Sequence, residues 1–153
     1  MRRFIKQKTG SAVIMNAFLI LIFFTLAFVV YTGVMVYAKY QTCQTELERL
    51  ATVTVDMSTV NENVRDLSLD IPDSAASLLE ENLTGAGWTL DDGAWAKYDG
   101  GKWIYSLEDM QITVEGTLLR IDAVFAMPLP LAIGGQTEVT IPVTVRSRIL
   151  FLE

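Results

Sequence analysis

Three groups of residues in this chain have the types and spacing that chemistry requires. Asp91-Asp92-Gly93 with Asp99 places carboxylates on glycine-bearing turns, a setting that suits a hard cation such as calcium. The spacing departs from the Asp-x-Asx-x-Asx-Gly loop and reads as a plain solvated turn, so no metal is assigned. Trp88, Trp95, Tyr98, Trp103 and Tyr105 offer aromatic faces for a sugar or peptide, with Trp95, Tyr98 and Trp103 as the candidate surface-binding set. Cross-strand aromatic pairs also hold hairpins together, and that structural use is the better reading. The adjacent acids Asp91 with Asp92 and Glu80 with Glu81 fit acid–base work in principle. Neighbouring acids on a turn or exposed helix more commonly serve as solubilising charge, and no spacing here separates an acid from a base.

The chain contains no histidine and a single cysteine, Cys43. That removes zinc clusters, Ser-His-Asp and Cys-His catalysis and internal disulfides together. No catalytic residue and no cofactor is assigned, and the chain reads as a non-enzyme. Cys43 reads as a small buried hydrophobe rather than as a bridge to a second copy or a lipid carrier. Asn82-Leu83-Thr84 has the form of an N-glycosylation triplet, which carries weight only where a host can use it.

The elements that must position these residues follow from charge and hydropathy. The 153 residues are enough for one domain and an appendage, with a net charge of −6 that is unevenly spread. Arg2, Arg3, Lys6 and Lys8 precede any acid, whereas the chain beyond Lys39 carries seven basic and eighteen acidic side chains. A nucleic-acid binder needs bases gathered to displace phosphate counterions, so no nucleic acid is expected as a partner. From Ala12 to Ala38 there are 27 consecutive uncharged residues. As a helix they would rise about 40 Å, against about 30 Å of hydrocarbon, which predicts a single membrane span. Cleaved secretory signals have an apolar stretch of roughly 7–15 residues, shorter than this one. The basic leader places the N-terminus in the cytoplasm and the acidic remainder outside the membrane.

Beyond the span, Cys43, Leu47, Leu50, Met57, Val60, Val64 and Leu67 recur at helical spacing, opposite Gln41, Gln44, Glu48, Asn61, Glu62 and Arg65. They predict an amphipathic extension over 40–70 with one packing face, and Thr52-Val53-Thr54-Val55 marks a place where it can kink. Asp70-Ile71-Pro72-Asp73 ends that pattern, and a short helix fits Ser74 to Leu83. From Trp88 the period changes to two. Asp99-Gly100-Gly101 joins two strands of a hairpin, Gln111 to Glu115 and Leu118 to Met127 follow, Pro128-Leu129-Pro130 and Gly134-Gly135 break the run, and Thr137 to Leu152 closes it. The expected fold is α+β: a basic leader at 1–10, a membrane helix at 11–39, its amphipathic extension at 40–70, and a β-rich domain of four or five antiparallel strands at 71–153. Pro142 predicts an edge strand or a bulge.

A basic leader ending in Gly10-Ser11, an apolar helix that starts at once, an amphipathic extension and a C-terminal antiparallel sheet together resemble the type IV pilin-like proteins. The stretch Lys8-Thr9-Gly10-Ser11-Ala12-Val13 is most similar to the TadE-like pseudopilins of tight-adherence pili. The layout also resembles a related group of single-pass bacterial proteins whose last strands follow a loop like Ile133-Gly134-Gly135. The resemblance implies cleavage by a prepilin peptidase between Gly10 and Ser11, and assembly with like or unlike pilin-like subunits in a surface filament or secretion apparatus. The family usually carries an acid near the fifth mature position to neutralise a neighbour's new amine; here that region holds Met15 and Asn16. A buried ammonium without a counter-charge is costly, so the resemblance implies a minor subunit or an uncleaved membrane protein. The alternative from another class is a membrane-tethered binding or sensing module that uses the aromatic hairpin and assembles no filament.

Overall fold

The computed structural model describes residues 3–59, 70–133 and 136–149, with side chains described for 12–58, 70–130 and 137–149. The chain divides into two compact units, Met1–Tyr37 and Ala38–Glu153. One helix, α1 (Arg3–Thr59), supplies the described residues of the first and opens the second. It runs without interruption through Thr52-Val53-Thr54-Val55, where β-branching invited a break; Thr52 Oγ1 donates to the Glu48 carbonyl at 2.9 Å and stays within the helical ladder. Of the predicted stripe, Val60, Val64 and Leu67 lie outside the described residues.

In the first unit α1 is long and apolar enough to cross a membrane. Large apolar side chains point outward around the whole circumference, from Val13, Ile14 and Met15 to Tyr31 and Val34. A helix apolar on all sides suits hydrocarbon rather than water. Thr25 and Thr32 fit the same medium, because they donate to the Leu21 and Phe28 carbonyls at 2.8 and 2.9 Å and so pair their own hydroxyl hydrogens.

The second unit is a five-stranded antiparallel meander under the C-terminal part of α1. After α2 (Ala75–Gly85) come β1 (Trp88–Asp91), β2 (Ala94–Asp99), β3 (Lys102–Glu115), β4 (Leu118–Ile133) and β5 (Gln136–Arg148), in the spatial order β1-β2-β3-β4-β5. Short connections between successive strands make the meander the natural topology. Asp92-Gly93 and Gly100-Gly101 have positive φ at both central positions, the geometry of tight hairpin turns whose twist matches that of the strands. Alternation along β4 puts Leu119, Ile121, Ala123, Phe125 and Met127 on one buried face, opposite Ser147, Val145, Val143, Ile141 and Val139 of β5.

Two features predicted as breaks are irregularities inside longer strands. Lys102 to Tyr105 and Gln111 to Glu115 belong to one strand, β3, in which Asp109 and Met110 sit between the pairs Glu108↔Val124 and Gln111↔Asp122 and share one opposing residue. Asp109 takes φ of 49° there. This bulge changes the parity of the strand: Tyr105 and Leu107 face the core before it, and Ile112 and Val114 after it. Pro128-Leu129-Pro130 likewise interrupts pairing with β5 while β4 continues to Ile133. Pro142 lies on edge strand β5, where a missing donor is tolerated.

The helix crosses one face of the sheet from β5 toward β1. Tyr40 stacks edge-on against Phe125 at 5.7 Å, and its hydroxyl reaches the Pro142 carbonyl at 3.4 Å. Cys43, Leu47, Ala51, Thr54 and Val55 form the covered face. Their steps of four, four, three and one follow the 3.6-residue turn more closely than a stripe chosen for apolarity alone, so Leu50 is half-buried and Met57 is 52% exposed. At the far end Asn82 of α2 donates to Thr54 Oγ1 at 2.9 Å, which satisfies a fully buried hydroxyl. α2 begins one residue later than predicted. Its N-terminus is closed by the Ala75 N–H donating to the Pro72 carbonyl at 2.9 Å rather than by the Ser74 side chain.

This packing predicts opposite outcomes for two residues of the same stripe. Leu47→Ala opens a cavity under the sheet and should lower stability by about 2–5 kcal/mol, whereas Met57→Ala should change it by no more than about 0.5 kcal/mol. Urea unfolding followed by tryptophan fluorescence measures both.

Candidate functional site

The most concentrated chemistry in the second unit lies where α1 meets the first three strands. Antiparallel register sets Trp88, Lys97 and Tyr105 side by side across β1, β2 and β3, on the face that α1 covers. Glu46 projects from α1 onto this row. Its Oε1 accepts from Trp88 Nε1 at 3.3 Å and pairs with the Lys97 ammonium, while Oε2 accepts from the Tyr105 hydroxyl at 3.5 Å. The Lys97 ammonium also sits 5.3 Å from the centre of the Trp88 ring, within cation–π range. Trp88, Tyr105, Phe125 and Tyr40 continue as a chain of ring contacts, with successive centroids 5.5, 5.6 and 5.7 Å apart.

The electrostatics follow from burial. Glu46 and Lys97 side chains each retain 23% exposure, so the pair is partly withdrawn from water and less screened than a surface pair. Removal from water pushes the Tyr105 phenol up from its ordinary value, and the Glu46 carboxylate pushes it further. The phenol therefore stays protonated and donates. All three donors converge on one carboxylate, and among the described residues no buried side-chain polar atom is left without a partner. A satisfied carboxylate of this kind ties a helix to a sheet. It offers no reactive group to a substrate.

The residues singled out in the sequence fall in different places. Trp95 is 7% exposed and opposes Leu107 on the core face, so it belongs to the core and is not on the surface. Tyr98 is 42% exposed, donates to Asp91 Oδ2 at 2.9 Å and pairs across the strands with half-buried Trp103. The register irregularity between Lys97 and Tyr98 separates these two from Trp95, and the three do not form one platform. Asp92 and Gly93 are the central residues of the β1–β2 turn, and among the described residues no group of three or more possible ligands could hold a metal. Asn82 is half-buried in α2 with its amide bonded to Thr54. Gly10 and Ser11 lie within the backbone of α1. Cys43 and Leu47 are fully buried.

Glu46 was not singled out from the sequence, although a signal was there. It sits three residues after Cys43 and four before Leu50, so it is an acid on the apolar stripe. Lys97 is likewise a base at an inward position of an aromatic strand. An acid and a base on facing apolar surfaces are worth pairing.

On the outer face of the sheet Arg120 holds Asp122 with two bonds of 2.6 and 3.0 Å, and Thr144 Oγ1 adds a third at 2.7 Å. The Arg120 bonds foremost, then that of Thr144, hold the Asp122 carboxyl below the usual carboxylate range. Its stabilising effect is complete above that range and is lost as pH falls through the lowered value.

Two outcomes follow for the Glu46 cluster. Glu46→Gln leaves an ammonium facing a neutral amide and should cost about 2–4 kcal/mol, and in the double variant with Lys97→Met the two losses should be less than additive. A double-mutant cycle of urea unfolding measures this. Because the folded phenol of Tyr105 is raised, its contribution to stability is complete below the ordinary tyrosine range and is lost as pH rises through the raised value. Tyr98 is also raised, by its bond to Asp91, so spectroscopic titration should find late phenols of which one disappears in Tyr105→Phe. Against known proteins, no family model, no curated protein and no solved structure matches this chain.

Proposed function

We propose that this chain is a non-enzymatic, pilin-like structural and assembly subunit, a minor pilin or pseudopilin, held by one membrane helix. The observation that carries the reading is the continuity of α1, which passes from a circumference of exposed apolar side chains into a face covered by an antiparallel sheet without a break. A subunit built this way has a hydrophobic shaft for a bilayer or a filament core, and the same helix continues into its domain. In this reading Arg2, Arg3, Lys6 and Lys8 hold the leader in the cytoplasm, and the acidic domain lies outside the membrane.

The proposed partners are the membrane, a prepilin peptidase acting at Gly10-Ser11, and other pilin-like subunits of the same or a different kind. No cofactor and no nucleic acid enter the proposal. Cys43 and Leu47, offered by the sequence as either an internal or an intersubunit face, are spent internally on the sheet. Assembly then rests on the apolar shaft and on outer surfaces of the domain. The absence of an acid at Met15 and Asn16 favours a minor over a repeating subunit, since a filament core has no water to stabilise a bare amine.

The experiment is the intact mass and first residue of the protein from native membranes and from sheared surface material. The expected result is a chain beginning at Ser11 that is found in the sheared fraction. A chain that begins at Met1 and stays in the membrane overturns the pilin reading and leaves a tethered extracytoplasmic module, with exposed Tyr98 and half-buried Trp103 as its contact residues. Gly10→Val, which removes the small residue before the cut, should abolish processing without changing insertion.

A further inference from the structure

Among the described residues the meander has two unpaired edges, β1 and β5, and their side chains are complementary. On β1 the outer face carries Thr89 and Asp91, both exposed, with Asp92 in the following turn. Its core side carries Leu90, which is 58% exposed although Leu90 opposes buried Trp95. On β5 the outer face carries Thr144, Arg146 and Arg148, all exposed, while Val143 and Val145 point to the core. The domain has few bases. Arg120 is engaged by Asp122, and among the described residues neither Arg146 nor Arg148 is in an ion pair.

Pro142 interrupts this edge. It has no N–H, and its carbonyl takes the Tyr40 hydroxyl at 3.4 Å, so a joining strand cannot pair continuously across it, and residues 143–148 form one uninterrupted stretch. In an alternating meander of five strands β1 and β5 run in the same direction, and a neighbour related by translation keeps its core face on the same side. A second copy's β1 laid in parallel along β5 can therefore set Asp91 beside Arg146, Leu90 beside Val145 and Thr89 beside Thr144. That single register pairs charge with opposite charge and hydroxyl with hydroxyl on the outer face, and covers the exposed leucine on the other.

We propose that the β1 edge of one copy of this chain docks on residues 143–148 of the β5 edge of the next, extending the sheet from copy to copy. The contact is heterologous: each copy presents one acidic edge and one basic edge, so it propagates rather than closing into a pair. It requires copies side by side in a membrane or filament and is independent of leader cleavage, so the first-residue measurement and this one fail separately.

The test uses the full-length protein in its membrane. Thr89→Cys and Thr144→Cys are carried by separately tagged copies and treated with a short water-soluble thiol cross-linker; Cys43, fully buried, is kept. The expected result is a Thr89→Cys to Thr144→Cys link, with far fewer links between like variants. Arg146→Glu in the Thr144→Cys copy should lower the linked fraction roughly tenfold by facing Asp91 with a like charge, and Asp91→Arg in the other copy should restore it. Rising salt should weaken the link, since both groups are exposed. Asp91→Arg alone gives a second reversal on a different strand; melting curves of the cysteine and Arg146→Glu variants should match that of the parent, and that of Asp91→Arg should match Tyr98→Phe, which loses the same bond. Equal linking among like and unlike variants, linking that charge reversal leaves unchanged, or linking to a different protein overturns the proposal.

Discussion

The structure of the second unit depends on one carboxylate. Glu46 stands on a helix whose neighbouring positions are buried, and it is tolerated there because three strands each bring it a donor in the same row. Register makes this possible, since Trp88, Lys97 and Tyr105 come into line only when β1, β2 and β3 pair as they do. A one-residue slip would turn Lys97 to the outer face and strand the acid beneath the sheet. Apolar packing of Cys43, Leu47 and Phe125 holds helix and sheet together without fixing their angle closely. The charged cluster adds the directional part, because hydrogen bonds lose strength quickly with misalignment.

That directional contact matters for the proposed role. Assembly through the second unit needs the edges of its sheet held in fixed places relative to one another. Tyr40 against Phe125 and Pro142, Glu46 against Trp88, Lys97 and Tyr105, and Asn82 against Thr54 fasten this part of α1 to the sheet and to α2 at three separate places. The two edges of the sheet then become fixed features, one acidic at Asp91 and one basic at Arg146 and Arg148.

Much of the fold was legible in the sequence, but for different reasons in different places. The uncharged stretch from Ala12 to Ala38 predicts a long apolar helix because length and hydropathy suffice for that inference. The glycine turns predict hairpins because positive φ at consecutive positions excludes most residues. The sequence pattern splits β3 and ends β4 early, since a bulge at Asp109 and Met110 reverses which positions look apolar, and Pro128 and Pro130 look like a terminator. Both are irregularities that the neighbouring strand tolerates, and a single segment does not contain its neighbour. The site was less legible. The aromatic residues were visible, but whether Trp95 or Tyr98 reaches solvent depends on a register shift between Lys97 and Tyr98.

The sequence by itself determined the division into an apolar helix and an acidic α+β remainder, the order of elements and the positions of the tight turns. These depend on local backbone preference and on transfer out of water, which act over a few residues at a time. Only the tertiary structure decided which face of the helix is covered, that Ala51 and Thr54 belong to it while Met57 does not, that Trp95 is core, and that Glu46 meets Trp88, Lys97 and Tyr105. Those outcomes are set by strand register and by the path of α1 across the sheet. They join residues more than forty positions apart, and no local pattern encodes such a distance.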